Sequence, residues 1–298
     1  MTLIDKKYLP FEPEEMQQHF LRNAEKQVEY YIKSSERYHS FLAENPELEG
    51  IPVSRSRGPR QIEKDERFWT AAALKSVFDH SDSQSIWESL LSKEFGHEPP
   101  IQGISTWSDC LQGDLCLLFE VQVPSPKKYT EWLSQNHADT HFIPYVLDAA
   151  ERKSKRPLEG PTHLDAILVN KSNGFSVVFE SKVLSDISLD VTFDIKRNQL
   201  ARCIDILLDE NKELLNALGK REPEKSLFLL LTPEVFRQSP WMRLYGYLFN
   251  EYQTNPSSLF RDLPHRDQSN CMWVLSRIGW VTFEEIYSVC SGACGWIG

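Results

Sequence analysis

The sequence lacks an apolar run long enough to cross a bilayer. Residues 1 to 20 also lack the basic-then-apolar order of a signal peptide. We therefore expect a cytoplasmic protein with no membrane contact. Paired cysteine motifs are missing as well, because the six cysteines are scattered and Cys116 and Cys203 lie in apolar runs. Reduced cysteines in the core are the expectation, and the spacing from Cys290 to Cys294 is not that of a zinc knuckle.

The signatures of several enzyme classes are also absent. No Gly-rich phosphate loop is present, which argues against an ATP-driven motor in this chain. No nucleophile elbow is present either, which argues against a hydrolase that uses serine or cysteine. Internal repeats and low-complexity tracts are missing too. The chemistry of the protein must therefore come from other residue types.

Positive charge is scarce, with 33 Lys and Arg against 43 Asp and Glu, and the net charge is −10. Bulk electrostatics therefore cannot bring nucleic acid to this protein, and any such binding requires local basic patches. Two basic clusters interrupt the acidic sequence, and a solvated loop is the alternative for each of them. We predict that both clusters contact nucleic-acid phosphates, through Arg55, Arg57 and Arg60 in the first and Arg152, Lys153, Lys155 and Arg156 in the second.

Residues 162 to 182 carry the most informative pattern. Two apolar runs flank the sequence Asn-Lys-Ser-Asn-Gly, and an Asn-Gly step between such runs predicts a β-hairpin. Side chains alternate along a strand, so Glu180 and Lys182 share one face. A turn at 173–174 places Asp165 opposite Lys182, and a turn one residue earlier places it opposite Glu180. Either register brings the two acids and the lysine together.

Two carboxylates and one ammonium in a half-buried cluster can hold a hard cation and a water molecule. An ion pair between Asp165, Glu180 and Lys182 is the alternative. It is disfavoured because two acids share one base, which leaves a buried site with net negative charge. Glu66 lies on the inward stripe of a predicted helix, so it can complete a metal site. A surface glutamate is the alternative there, and Glu63 is the second choice.

The coarse order of elements over residues 62 to 232 is helix, strand, hairpin, helix, strand, which predicts an α/β core with a mixed sheet. In detail, the pattern predicts strands at 115–123, 226–232 and 272–275. It also predicts one helix over 13–44, a helix from a cap at Asp194 to residue 218, and a capping box at Thr282. We divide the chain into a helical arm and linker at 1–60, a core at 61–235 with a helical insertion at about 127–156, and an auxiliary layer at 236–298.

The motif order resembles that of the PD-(D/E)XK nuclease superfamily over residues 162 to 232. Asp165 is followed by Glu180-Ser-Lys182, then by Gln199-Leu-Ala-Arg202 on a helix, and then by a buried strand. The nearest proline, Pro161, lies four residues before Asp165, where the family usually has it adjacent. The resemblance implies a restriction-endonuclease-like αβββαβ core with a mixed central sheet, an N-terminal helical extension and a C-terminal α/β addition.

The resemblance also implies a site and an activity. Asp165 and Glu180 would ligate Mg²⁺, for which Mn²⁺ can substitute, and Lys182 would position or activate the attacking water. Gln199 and Arg202 would support these residues from the helix. The implied function is a metal-dependent nuclease, a DNA endonuclease of restriction or defence type that can act as a homodimer. The alternatives are a nuclease-like module that binds nucleic acid or assembles subunits without cutting, and an interaction protein in which the cluster is an ion pair.

Overall fold

Residues 7–49, 58–153 and 157–297 are described by a computed structural model, and they are organised around one mixed five-stranded sheet. The spatial order of the strands is the same as their order in the chain. The first three strands pair antiparallel, and the last two continue the sheet in parallel. The strands are β1 (Leu115–Val123), β2 (Thr162–Asn170), β3 (Ser176–Ser181), β4 (Ser226–Thr232) and β5 (Ile278–Thr282).

Helices cover both faces of this sheet, which explains why β3 and β4 are buried along their whole length. The described helices are α1 (Pro13–Gln17), α2 (Ala24–Glu44), α3 (Glu66–Phe78), α4 (Ser83–Phe95), α5 (Trp107–Leu111), α6 (Lys127–Thr140), α7 (Pro144–Arg152), α8 (Gln199–Leu207), α9 (Glu234–Gln238), α10 (Leu244–Thr254), α11 (Pro256–Asp262), α12 (Gln268–Met272) and α13 (Phe283–Val289). Within the described ranges, none of them is long and apolar enough to span a membrane.

Side-chain alternation along the strands divides the core into two layers. Val177 and Phe179 of β3 pack with α2, α3, α4 and α13 on one face. Val178 of the same strand packs with α8, α10 and α11 on the other face. The C-terminal addition therefore contributes to both layers, through α13 on one side and α10 and α11 on the other.

Several sequence predictions are confirmed. The strands predicted at 115–123 and 226–232 are β1 and β4, with the same bounds. The capping box at Thr282 is present, because its hydroxyl accepts from the Glu285 amide while the Glu285 carboxylate accepts from the Thr282 amide. The predicted insertion contains α6 and α7.

Other boundaries were wrong. The single helix predicted over 13–44 is divided into α1 and α2, because the Phe119 amide of β1 donates to the His19 carbonyl and Asn23 then takes a left-handed conformation with φ 52°. The strand predicted at 272–275 is wrong, because Trp273–Arg277 forms a 3₁₀ helix and the strand β5 begins only at Ile278. Gly279 is needed in β5, since a Cβ there would lie 2.6 Å from the Glu94 side chain.

The helix predicted from Asp194 to 218 is shorter, because α8 begins after Asn198 and ends at Leu207. The Asn198 side chain accepts from the Ala201 amide at 2.9 Å. It also donates to the Tyr252 hydroxyl at 2.9 Å and to Asp262 at 3.1 Å. Asn198 therefore fixes both the start of α8 and its contact with α10 and α11.

We expect Asn198→Ala to lower the free energy of unfolding by about 2 kcal/mol, because a helix cap and two buried hydrogen bonds are lost together. Urea denaturation followed by circular dichroism measures the change. Asn216→Ala is the matched control, since exposed Asn216 caps only a short 3₁₀ helix. A loss no larger than that of the control would contradict the role of Asn198.

Candidate functional site

The hairpin register brings Asp165 opposite Glu180. Ala166 pairs with Phe179, and the Asn170 amide donates to the Phe175 carbonyl, so the loop spans residues 171 to 174. This is the second of the two registers that the sequence allowed. Continuing the pairing by one residue places position 165 opposite position 180. The Ser181 amide donates to Asp165 Oδ2 at 2.7 Å and fixes that carboxylate against β3.

Glu180 is fully buried, with 0 % of its surface exposed. Its Oε1 accepts from Lys182 Nζ at 2.6 Å and from Gln199 Nε2 at 2.5 Å. The Cys203 thiol lies 3.5 Å from Oε2 and acts as a neutral donor, because burial raises the pKa of that thiol. Gln199 and Cys203 project from successive turns of α8, so this helix holds Glu180 from one side.

Lys182 connects Glu180 to α3. Its Nζ lies 3.6 Å from Glu66 Oε2 as well as close to Glu180. Burial alone would lower the pKa of Lys182, but the charges of Glu180, Asp165 and Glu66 outweigh it and raise the pKa above its ordinary value. Lys182 is therefore an ammonium, which donates hydrogen bonds and carries a positive charge into the cluster.

Glu66 belongs to the cluster, whereas Glu63 does not. Glu66 Oε1 accepts from the Val183 amide at 3.2 Å and from the Ser185 hydroxyl. Glu63 instead accepts from Tyr38 at 2.9 Å and from Arg60 at 2.7 Å, outside the cluster. The structure thus places the first choice of the sequence analysis next to Lys182.

The two central carboxylates repel each other. Burial raises the pKa of Asp165 well above its ordinary value, and the charge of Glu180 raises it further. Lys182 and the Ser181 amide oppose these effects without cancelling them. The cluster therefore carries more negative charge than its one lysine balances, and this favours a bound cation.

Glu120 is a site residue that the sequence analysis missed. Its neighbours Phe119 and Val121 pair with Ala166 and Leu164, so Glu120 lies in register with Asp165, and a row of three acids crosses β1, β2 and β3. Burial raises the pKa of Glu120; the charge of Arg67, 3.4 Å away, opposes this, and Asp65, Glu180 and Glu66 add to it. Its signal in the sequence is a single acid within the otherwise uncharged run LCLLFEVQV.

The cluster opens into a cleft of about 680 Å³. Besides the acids, the walls of this cleft carry two basic side chains that the PD-(D/E)XK motif does not include, Lys64 and Arg67. The guanidinium of Arg67 lies 4.7 Å above the ring of Tyr30, whose hydroxyl donates to Asp65. The residues that line the cleft are Tyr30, Gln61, Lys64, Asp65, Glu66, Arg67, Glu120, Asp165, Lys182, Leu184, Ser185 and Gln199.

Arg202 does not reach the cluster, and its predicted supporting role is wrong. Three residues along a helix leave two side chains only about 60° apart in direction, but Arg202 points to the start of β2 and not to Glu180. There its Nε lies 2.9 Å from Glu159 Oε1, and an Nη donates to the Pro161 carbonyl at 3.4 Å. Glu159 is buried and acidic, so it holds the arginine away from Glu180.

The two basic clusters differ in what the structure shows. Arg60 has a side chain only 6 % exposed and paired with Glu63, so its predicted phosphate contact is wrong. Arg152 and Lys153 are exposed at the end of α7, so their contact with nucleic-acid phosphates stays a prediction. Arg55, Arg57, Lys155 and Arg156 lie outside the described residues.

The donor set suits magnesium, although over the ranges that the structure covers no three or more His, Cys, Asp or Glu side chains are grouped to hold a metal as they stand. Mg²⁺ needs fewer protein ligands, because it keeps several waters and binds through one or two carboxylates and substrate phosphate. Asp165 and Glu180 supply that number of hard oxygen ligands. The excess negative charge of the cluster supplies the attraction.

Comparison of the chain with protein-family models, curated proteins and solved structures found no match. The functional interpretation therefore depends on the geometry and charge of this cluster.

Proposed function

We propose that this protein is a Mg²⁺-dependent nuclease, a phosphodiesterase that acts on DNA as an endonuclease of restriction or defence type. The observation that carries the proposal is the pair of acids facing each other on β2 and β3, with Lys182 paired to Glu180 at the wall of an open cleft. The order α3, β1, β2, β3, α8, β4, with β4 parallel to β3, supports a restriction-endonuclease-like αβββαβ core.

In this proposal, Asp165 and Glu180 hold Mg²⁺, or Mn²⁺ in its place. A cation held by these two carboxylates would supply positive charge to the scissile phosphate and would lower the pKa of a nearby water. Lys182 is held by Glu180 and Glu66 as an ammonium, so it donates to the phosphate or orients the water and does not remove its proton. Gln199 keeps Glu180 turned toward Lys182.

The cleft also supplies contacts for the rest of the substrate. Lys64 and Arg67 line it beside the acids, and Arg67 has 41 % of its side chain exposed. Both side chains can donate to the phosphates that flank the scissile one. They place two positive charges among the acids of the cleft.

The test is cleavage by the purified protein of plasmid DNA, single-stranded DNA and RNA, in Mg²⁺, in Mn²⁺ or in EDTA. We expect cleavage with either metal, none in EDTA, and a loss of at least about 100-fold in Lys182→Ala. Lys212→Ala is the matched control, because this exposed lysine pairs only with Glu210 at the surface. Circular dichroism establishes that each variant is folded. Wild-type activity in folded Lys182→Ala would refute the proposal.

One observation favours the second candidate, a nuclease-like module that binds nucleic acid without cutting it. Glu180 already accepts from Lys182 and Gln199 through one oxygen and contacts Cys203 through the other. If these bonds persist, only one lone pair of Oε2 is left for a metal. Calorimetric titration of Mg²⁺ separates the two candidates, because the nuclease binds the ion through Asp165 and loses that binding in Asp165→Asn, whereas the module shows no site-dependent heat.

A further inference from the structure

The aromatic residues of the C-terminal addition divide into a buried group and an exposed group. Tyr245 is fully buried and packs edge-on against Trp280, with ring centroids 5.9 Å apart. Trp241 and Tyr247 are 76 % and 56 % exposed. Large aromatic rings in solvent at neighbouring positions are unusual for a packing layer, so Trp241 and Tyr247 require another explanation.

A short segment connects the cleft wall to the start of α10, the helix that carries Tyr247. Glu66 of the acid cluster accepts from Ser185, which is itself part of the cleft wall. The next residue, Asp186, accepts from the Leu244 and Tyr245 amides at 2.8 and 3.2 Å, at the start of α10. Consecutive Cα atoms are about 3.8 Å apart. The start of α10 is therefore separated from the cleft wall by one residue and one pair of hydrogen bonds.

A close backbone contact fixes the chain next to the two residues that carry the exposed rings. Gly246 packs against Pro240, and a Cβ at position 246 would lie 2.3 Å from the Pro240 carbonyl oxygen. Trp241 follows Pro240 and Tyr247 follows Gly246, so both residues are next to this contact in the chain. Arg243 adds support, because its guanidinium lies 4.8 Å above the ring of Phe236. The surface is thus preorganised, which lowers the entropy cost of binding.

We propose that Trp241 and Tyr247 form a stacking surface for unpaired nucleobases next to the scissile phosphate, and that the preferred substrate is single-stranded or locally unpaired nucleic acid. This inference depends on the proposed nuclease function. Unpaired bases present the faces that aromatic rings stack upon, whereas the bases of an intact duplex are already stacked on each other. Stacking also suits a protein of net charge −10, which attracts a duplex weakly.

Fluorescence anisotropy with 12-nucleotide DNA and RNA oligonucleotides and a blunt DNA duplex tests the proposal, in EDTA and in Ca²⁺. We expect wild-type protein to bind a single strand at least about tenfold more tightly than the duplex, and Trp241→Ala to lose about tenfold of that affinity. Trp241→Phe keeps an aromatic ring and should retain most of the affinity for the single strand. Tyr145→Ala is the matched control, because Tyr145 of α7 is 73 % exposed and should have no effect.

Oligonucleotides with abasic positions identify the partner of the ring. An abasic strand should bind wild-type protein about tenfold more weakly, and Trp241→Ala should then cause no further loss. Three results would overturn the stacking surface. In two of them Trp241→Ala lowers the affinity for normal and abasic strands equally, or lowers neither. In the third, wild-type protein binds the duplex as tightly as a single strand. A wild-type dimer in sedimentation that Trp241→Ala dissociates would also overturn it, because the rings would then be a subunit interface.

The outcomes also distinguish failure of this inference from failure of the proposed nuclease function. Metal-dependent cleavage with unchanged binding by Trp241→Ala overturns the stacking surface alone. Absence of both cleavage and binding in wild-type protein refutes the proposed nuclease together with the stacking surface. The DNA and RNA strands carry the same stacking chemistry, so their relative affinities show which nucleic acid the surface prefers.

Discussion

Replacing Asp165 by asparagine is expected to abolish metal-dependent cleavage while it stabilises the metal-free protein. Asparagine keeps the size of the side chain and an oxygen that can accept from the Ser181 amide. It removes the charge that faces Glu180. We expect a loss of about 10³-fold in cleavage, the upper range for one group that stabilises charge in a transition state.

The expected gain in stability follows from the pKa of Asp165. Burial and Glu180 raise this pKa in the folded protein, so the fold favours the protonated acid. The folded wild-type protein therefore loses stability as the pH rises from the ordinary aspartate pKa, about 3.9, through the raised value. The full penalty is present once the pH exceeds the raised pKa. The asparagine side chain of the Asp165→Asn variant carries no charge at any pH and escapes this penalty.

Thermal unfolding in EDTA at several pH values measures this difference. The melting temperature of Asp165→Asn should exceed that of wild type at pH 7, and the two should converge below about pH 4. Asp114→Asn is the control, because Asp114 is 61 % exposed in its pair with Lys171 and should change neither activity nor stability. An Asp165→Asn protein that is less stable than wild type and still cleaves with metal would contradict the proposed site. Asp165 would then serve only as a partner in an ion pair.

The sequence predicted the cluster because it depends on local periodicity. Alternation along β3 places Glu180 and Lys182 on one face, and a hairpin loop then brings Asp165 to them in either register. The register itself was left open. It depends on whether Asn170 or a later residue closes the loop, and the flexible Ser-Asn-Gly sequence permits both. In the fold, the hydrogen bond from the Asn170 amide to the Phe175 carbonyl selects the second register.

Features that depend on distant neighbours could not be predicted. Glu120 joins the row of acids only because β1 pairs with β2, and nothing in the sequence specifies that pairing. Arg202 has the right spacing from Gln199 for a shared helix, but the buried carboxylate of Glu159 attracts it elsewhere. The different burial of Trp241 and Tyr245 likewise follows from how α10 meets the rest of the fold.

Arg197 is expected to be the largest single contributor to stability outside the hydrophobic core. Its side chain is fully buried, and its guanidinium lies 3.7 Å above the ring of Tyr129. One nitrogen lies 2.7 Å from Asp205 and another 3.5 Å from Glu159. The arginine thereby joins α6 of the insertion, the chain before β2, and α8.

We expect Arg197→Met to lower the free energy of unfolding by about 3 to 5 kcal/mol, because breaking a buried ion pair leaves carboxylates without a partner. Urea denaturation at pH 7 measures the loss. Arg261→Met is the matched control: Arg261 is 62 % exposed in its pair with Asp262, and its loss should cost less than about 1 kcal/mol. Similar losses of unfolding free energy in Arg197→Met and Arg261→Met would contradict the expected contribution of Arg197.

The same substitution should change the response to acid. Burial would raise the pKa of Asp205, but Arg197, His265 and Arg266 outweigh it and hold the pKa well below its ordinary value. A depressed folded pKa gives stability that is present above about pH 3.9 and is lost as the pH falls toward the folded value. Arg197→Met removes the largest of these charges, so its acid unfolding should begin at higher pH than that of wild type.

A second variant distinguishes the cost of leaving the Asp205 carboxylate unpaired from the cost of losing the packing of the Arg197 side chain. If the penalty of Arg197→Met comes from the unpaired Asp205 carboxylate, adding Asp205→Leu should restore part of the stability, because buried ion pairs can be replaced by apolar residues of similar volume. His265 and Arg266 then lose a partner as well, at 3.0 and 2.7 Å, so the recovery should be incomplete. A double variant less stable than Arg197→Met would instead identify Asp205 as the residue that organises these three side chains, with Arg197 as one partner among three.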